Sequence, residues 1–137
     1  MDIRQITPRY SVTPQIDLED LAAIKDAGFV RVVCNRPDAE IPPSHHGAVI
    51  EAAAKELGLE FFILPLTHQT MTPDNIAKQM GYIQDADGPV LAYCASGTRC
   101  TVIWALGQAG QLSADEILST AAKAGYQLEQ LRPQLEG

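Results

Sequence analysis

The chain is short of most features that would place it at a membrane, on nucleic acid or around a metal. No apolar run approaches the roughly 20 residues a membrane-spanning helix needs. There is no basic run, and 17 Asp and Glu against 10 Lys and Arg give a formal net charge of −7. An acidic chain of this kind does not neutralise phosphate backbones, so nucleic acid is excluded as an expected partner. Cysteine is limited to Cys34, Cys94 and Cys100, an odd number with no CxxC pair. That pattern suits neither a disulfide framework nor a metal cluster, and it points to a reducing compartment. The first residues, MDIRQITPRYS, carry no apolar signal core, so a cytoplasmic location is expected. No repeat, low-complexity tract or linker interrupts the 137 residues, and one domain over 1–137 is the expectation.

What is present is a globular pattern, 46% hydrophobic and 20% charged. Ile3–Ile6 and Tyr10–Val12 read as short strands separated by Thr7-Pro8, on edge or turn positions. Asp17 is positioned to cap a helix with Leu18, Leu21, Ala22 and Ile24 on one face, stopped by Gly28. Phe29–Cys34 is a buried strand by its β-branched content. A helix begins at Ser44, contains Val49, Ala53 and Leu57, and ends at Gly58. Phe61–Leu64 is a strand closed by Pro65. Thr72-Pro73 starts a helix that runs to about Asp85. Val90–Tyr93 is a strand, followed by a helix carrying Val102, Ile103, Trp104 and Leu106. Ser113 and Glu116 form a capping box for a last helix ending at Gly125, with a short helix before Pro133.

Alternation of strand and helix predicts an α/β fold: three layers, a mostly parallel sheet of four to five strands, and helices on both faces. Ligands in such folds lie beyond the C-terminal strand ends. Three loops meet there: 35–40, 66–71 and 94–99.

The last of these holds the sharpest chemistry. Cys94-Ala95-Ser96-Gly97-Thr98-Arg99 leaves a strand and enters a helix. Backbone N–H groups of such a loop and the helix N-terminus favour an anion and lower the pKa of a thiol at its base. Arg99 adds a bidentate fork, and Ala95, Ser96, Gly97 and Thr98 are the small residues of an anion-binding loop. Cys94 and Arg99 are therefore the candidate catalytic pair. Auxiliary roles fall to four residues. Cys100 reads first as a small residue of the helix turn; its thiol is also a hydrogen-bond donor or resolving partner for Cys94. Arg36, in Asn35-Arg36-Pro37-Asp38, brings a second cation to the same edge. Asp38, like Glu40, orients an arginine or supplies an acid, although a loop ion pair is the plainer reading. His68 lies in the loop after the third strand and is a candidate acid or base. Cys34 and Trp104 read as core, and His45 and His46 as a solvated helix start. No metal and no cofactor are expected.

Cys94-Ala-Ser-Gly-Thr-Arg99, the following Trp104-Ala105-Leu106, Asn35-Arg36-Pro37-Asp38 and Gly88-Pro89-Val90-Leu91-Ala92-Tyr93 occur in this order. Together they resemble the phosphatase-like domain of the beta-lactamase hydrolase-like protein family. The resemblance implies a dual-specificity, protein-tyrosine-phosphatase-like fold, a small anionic substrate and, because some members are fused to a domain linked to sulfide metabolism, a partner enzyme of that metabolism. Ala95 stands where that family commonly has arginine, and Cys100 where it commonly has serine. Tyrosine phosphatases place five residues between cysteine and arginine; four stand here, the spacing of rhodanese-type sulfurtransferases. No carboxylate occurs in 66–71, where those phosphatases carry their acid, and Asp74 is the next one along the chain. Three functions follow as expectations: a phosphatase-like hydrolase using Cys94, a sulfurtransferase passing sulfur through a Cys94 persulfide, and a redox-sensing anion-binding module using Cys94 and Cys100. The substrate is a phosphate ester in the first case and a sulfur donor in the second.

Overall fold

The computed structural model describes residues 1–136. Strands β1 (Arg4–Thr7) and β2 (Tyr10–Thr13) form an antiparallel hairpin. Helix α1 (Asp20–Asp26), β3 (Arg31–Cys34), α2 (Gly47–Glu56), β4 (Glu60–Ile63), α3 (Pro73–Gln84), β5 (Val90–Tyr93), α4 (Thr98–Gln108), α5 (Ala114–Lys123) and α6 (Arg132–Glu136) follow. The five strands lie in the order β1-β2-β5-β3-β4, and every pair except β1–β2 is parallel. This is the three-layer, mostly parallel α/β arrangement expected from the alternation.

Parallel crossovers are right-handed, so the direction of each step across the sheet decides the face its helix takes. The steps β2→β3 and β3→β4 run the same way, and α1 and α2 share a face. The step β4→β5 runs back past β3, and α3 lies on the opposite face. Two cores result. Leu21, Ile24, Ile50 and Ala54 pack against Val32, Cys34, Leu91 and Tyr93 on one side. Met80, Ile83, Trp104, Ile117 and Ala121 pack against Val12, Val33, Val90 and Ala92 on the other. The strand residues alternate between the two lists, the period-two signature of a sheet buried on both faces. The reversal of direction leaves a crevice at the C-terminal ends of β3 and β5, where α/β folds bind ligands.

Several boundaries differ from the sequence expectations. Asp17 does not cap α1. Its carboxylate pairs with His45 Nε2 at 2.6 Å, while Asp20 Oδ2 accepts from Asp17 N–H at 2.9 Å, and the helix starts two residues later, with Glu19 in the cap position. Leu18 is left exposed, and Ala22 also faces outward; Leu21 and Ile24 supply the buried stripe. The segment after Pro42 forms a 3-10 turn over Pro43–His45, and α2 begins at Gly47. Its buried positions are Gly47, Ile50 and Ala54, whereas Val49 and Leu57 face solvent. The short helix expected before Pro133 is a 3-10 turn over Glu129–Leu131, and α6 continues from it with Pro133 in its first turn, where a missing N–H leaves no intrahelical bond unmade. β1 and β4 are shifted by one residue and β2 runs one residue further, while β5 and the Ser113–Glu116 capping box fall where the pattern placed them.

Candidate active site

β5 is the central strand of the sheet, and all four of its residues are buried. Cys94 follows it directly, 1% exposed, with its N–H reaching Thr13 C=O at 3.4 Å. The chain then turns through Ala95 and Ser96 to Gly97, whose φ of +89° places it in the left-handed region glycine adopts without strain. Gly97 is the N-cap of α4, so the loop closes on the positive end of that helix. Gly97 N–H donates to Cys94 Sγ at 3.1 Å. Ser96 Oγ and Thr98 Oγ1 bond each other at 2.8 Å on the outer rim, and Thr101 Oγ1 donates to Gly97 C=O at 2.8 Å beneath it.

These donors act on the thiol. A hydrogen bond from the Cys100 side chain is the largest influence; burial opposes it, and the N–H groups of Cys100, Ser96 and Gly97 add to it. The Cys94 thiol is pulled from 9.0 down to about 5. Burial beside that thiolate pushes the Cys100 thiol up, so Cys100 remains the protonated donor. Cys100 sits in the first turn of α4, fully buried, and its side chain is a donor to Cys94.

The loop after β3 meets this one across the crevice. Arg99 Nη1 and Nη2 donate to Glu40 Oε2 and Oε1 at 2.7 and 2.8 Å, and Nη1 also reaches Leu66 C=O at 2.9 Å. Arg36 Nε donates to Glu40 Oε1 at 3.3 Å, and its Nη1 to Gln15 Oε1 at 3.3 Å. Arg36 thus braces Glu40 rather than facing the loop. The hydrogen bond from Arg99 holds the Glu40 carboxyl below its ordinary value. Of the two carboxylates proposed to orient an arginine, Glu40 does so. Asp38 Oδ1 instead accepts Gly47 N–H at 2.9 Å and caps α2, a role that neither of its readings from sequence included. A Glu40→Gln variant keeps the shape and loses the charge of this clamp. It is expected to lower kcat/KM about tenfold through misplacement of Arg99, measured by steady-state kinetics on whichever substrate proves active.

A second support lies under the crevice. Asn35 and Gln79, both fully buried, exchange amide hydrogen bonds at 3.0 and 2.9 Å. Asn35 Nδ2 also donates to Leu64 C=O at 2.9 Å, and Gln79 Nε2 to Tyr10 Oη at 3.2 Å. Tyr10 in turn donates to Cys100 C=O at 2.7 Å. The network ties the ends of β3 and β4 to the first turn of α4. Sequence reading missed Gln79 entirely, since a glutamine in a helix carries no local signal of burial. Gln79→Leu leaves Asn35 Oδ1 buried without a donor and is expected to cost about 2 kcal/mol, read as a lowered urea midpoint.

Ser96, Thr98, Arg99, Glu40, Thr67, His68 and Gln69 line an open depression over the loop. His68 is exposed on its rim, as its loop position suggested. Asp74 lies exposed in the first turn of α3 and is absent from this lining. His45 and His46 serve α1 and α2 through Asp17 and Asp38. Among the described residues no cluster of three His, Cys, Asp or Glu side chains is arranged to hold a metal, and no helix is long and apolar enough to cross a membrane.

Comparison with known proteins identifies the family and the fold. Residues 2–111 match the family model described as beta-lactamase hydrolase-like protein, phosphatase-like domain. The beta-lactamase hydrolase-like proteins of Agrobacterium fabrum and Xylella fastidiosa are each 27% identical, over 126 and 130 residues. These alignments take in 90% and 93% of this chain but only 29% and 30% of those longer proteins. The crystal structure of a phosphatase candidate from Neisseria meningitidis superposes with a TM-score of 0.86 at 31% identity, covering 99% of this chain and 97% of that one. A variant of P. aeruginosa TpbA in complex with phosphotyrosine shares the fold, with a TM-score of 0.65 at 15% identity over 99% of this chain and 91% of that one. The chain belongs to the phosphatase-like domain family of the beta-lactamase hydrolase-like proteins.

Proposed function

We propose that this domain hydrolyses phosphate monoesters, with the Cys94 thiolate as nucleophile. The observation that carries the reading is the thiol held at about 5 on the floor of a loop whose arginine is already oriented by Glu40. In the first step Cys94 Sγ attacks phosphorus, an S–P bond forms, and the P–O bond to the leaving group breaks. Loop N–H groups and Arg99 take the non-bridging oxygens. In the second, water attacks phosphorus, the S–P bond breaks, and inorganic phosphate leaves with the thiolate restored. Glu40 is held ionised by two arginines and is no proton donor. His68 lines the same depression, and we assign its imidazole the proton for the leaving oxygen. Aryl phosphates suit such a site, because a phenolate departs with little help. The phosphotyrosine bound by TpbA is an ester of this class.

A second reading rests on two specific observations. The four-residue spacing and a depression without a free carboxylic acid suit sulfur transfer, which needs no acid. There Cys94 would take the outer sulfur of thiosulfate, releasing sulfite, and pass it to a thiol or cyanide acceptor. One pair of assays separates the two: p-nitrophenyl phosphate hydrolysis, and thiocyanate formation from thiosulfate and cyanide. Nitrophenol release is expected. Thiocyanate without nitrophenol overturns the phosphatase reading in favour of the second. Neither product, with a Cys94–Cys100 disulfide seen by mass spectrometry after mild peroxide, overturns both in favour of a redox sensor.

A further inference from the structure

One peptide plane of the loop is gripped from both sides. The N–H of the Ser96–Gly97 peptide donates to Cys94 Sγ at 3.1 Å, and the C=O of the same peptide accepts from Tyr126 Oη at 2.9 Å. In a trans peptide these two groups point in opposite directions, so a phenol on the outside and a sulfur on the inside select one orientation of the plane. That selection is needed. Gly97, at φ +89°, has the freedom that lets the preceding peptide turn over, and the turned form would direct a carbonyl oxygen at the thiolate and at any bound anion.

Tyr126 is itself held firmly. It follows Gly125 at the end of α5, is 7% exposed, and lies with its ring 5.6 Å from Arg4 Cζ, while Arg4 Nη1 donates to Ala124 C=O at 3.0 Å. Burial raises its phenol, so the hydroxyl stays a donor through neutral pH. A methyl group built on Gly97 would overlap Tyr126 Oη, so glycine and tyrosine occupy complementary space. Tyr126 lies outside the matched segment 2–111, yet it touches the loop directly.

We propose that Tyr126 is a positioning residue that locks the Ser96–Gly97 peptide with its N–H turned toward Cys94 and the anion site. The inference rests on Cys94 being the reactive thiol and holds for phosphoryl and sulfur chemistry alike. Its consequence is that the phenol, without touching substrate, keeps the thiolate populated in mildly acidic solution.

The test is the pH dependence of Cys94 alkylation by iodoacetamide, followed by peptide mass spectrometry on the whole chain. Tyr126→Phe keeps the ring and removes only the hydroxyl. Its alkylation midpoint is expected to rise by about half to one pH unit. Site-specific Tyr126→3-fluorotyrosine, a stronger donor of nearly the same shape, is expected to lower the midpoint below that of wild type. A hydroxyl that merely braced the fold would lower the melting temperature and leave both midpoints in place, and that result overturns the proposal. A wild-type midpoint near the ordinary 9.0 would instead sink the reading of Cys94 itself.

Discussion

Cys94→Ser is expected to reduce kcat for p-nitrophenyl phosphate by about 10⁴-fold or more, the scale of removing a catalytic nucleophile. The loop activates a thiol by stabilising its anion, and a serine hydroxyl titrates too high for the same donors to ionise it. Nor is Glu40 or His68 hydrogen-bonded to Cys94 to take the proton. Glu40 accepts from Arg99 and Arg36, and His68 stands on the exposed rim. The N–H groups and Arg99 are untouched, so inorganic phosphate binding, followed by ³¹P line broadening, is expected to stay within about threefold of wild type, because those donors still hold the anion. The wild-type profile carries the same signature. With the thiol at about 5, kcat/KM should fall tenfold per pH unit below that point as the thiolate is protonated. A serine variant with appreciable turnover would remove Cys94 from the mechanism.

Much of this arrangement is legible from local pattern, and the limits are physical. Val90–Tyr93 could be placed to the residue because a run buried on both faces, ended by Cys94 and small residues, has few other readings. The Thr72-Pro73 start and the Ser113–Glu116 box are local devices and read directly. What failed was whatever depends on a partner distant in sequence. The cap of α2 comes from Asp38, nine residues before Gly47, and Asp17 is drawn from α1 to His45. Both shifted a helix start, and with α2 the buried face moved to Gly47, Ile50 and Ala54. The site divides the same way. Cys94 and Arg99 are visible in one loop, and Glu40 was a named candidate to orient an arginine, but its pairing with Arg99 across 59 residues came from the crevice between β3 and β5. Tyr126 and Gln79 had no signal at all. Each is one polar atom delivered from a helix or its end to a backbone or amide group far along the chain.

Arg99→Lys is the second large effect, and it separates charge from geometry. A guanidinium has five N–H donors. Arg99 spends two on the Glu40 carboxylate and one on Leu66 C=O, which leaves two for an oxyanion over the loop. An ammonium keeps the positive charge but offers three donors from a single point, so it cannot grip Glu40 and Leu66 and still present a fork to phosphate. The expected loss is about 10²–10³-fold in kcat/KM, the scale of removing one preorganised donor to a developing anion. The two residues should also be non-additive. In the Arg99→Lys background the Glu40→Gln change has no fork left to orient, and its cost should shrink from about tenfold toward unity. Additive losses in that cycle would mean that Glu40 acts on the site by some route other than Arg99.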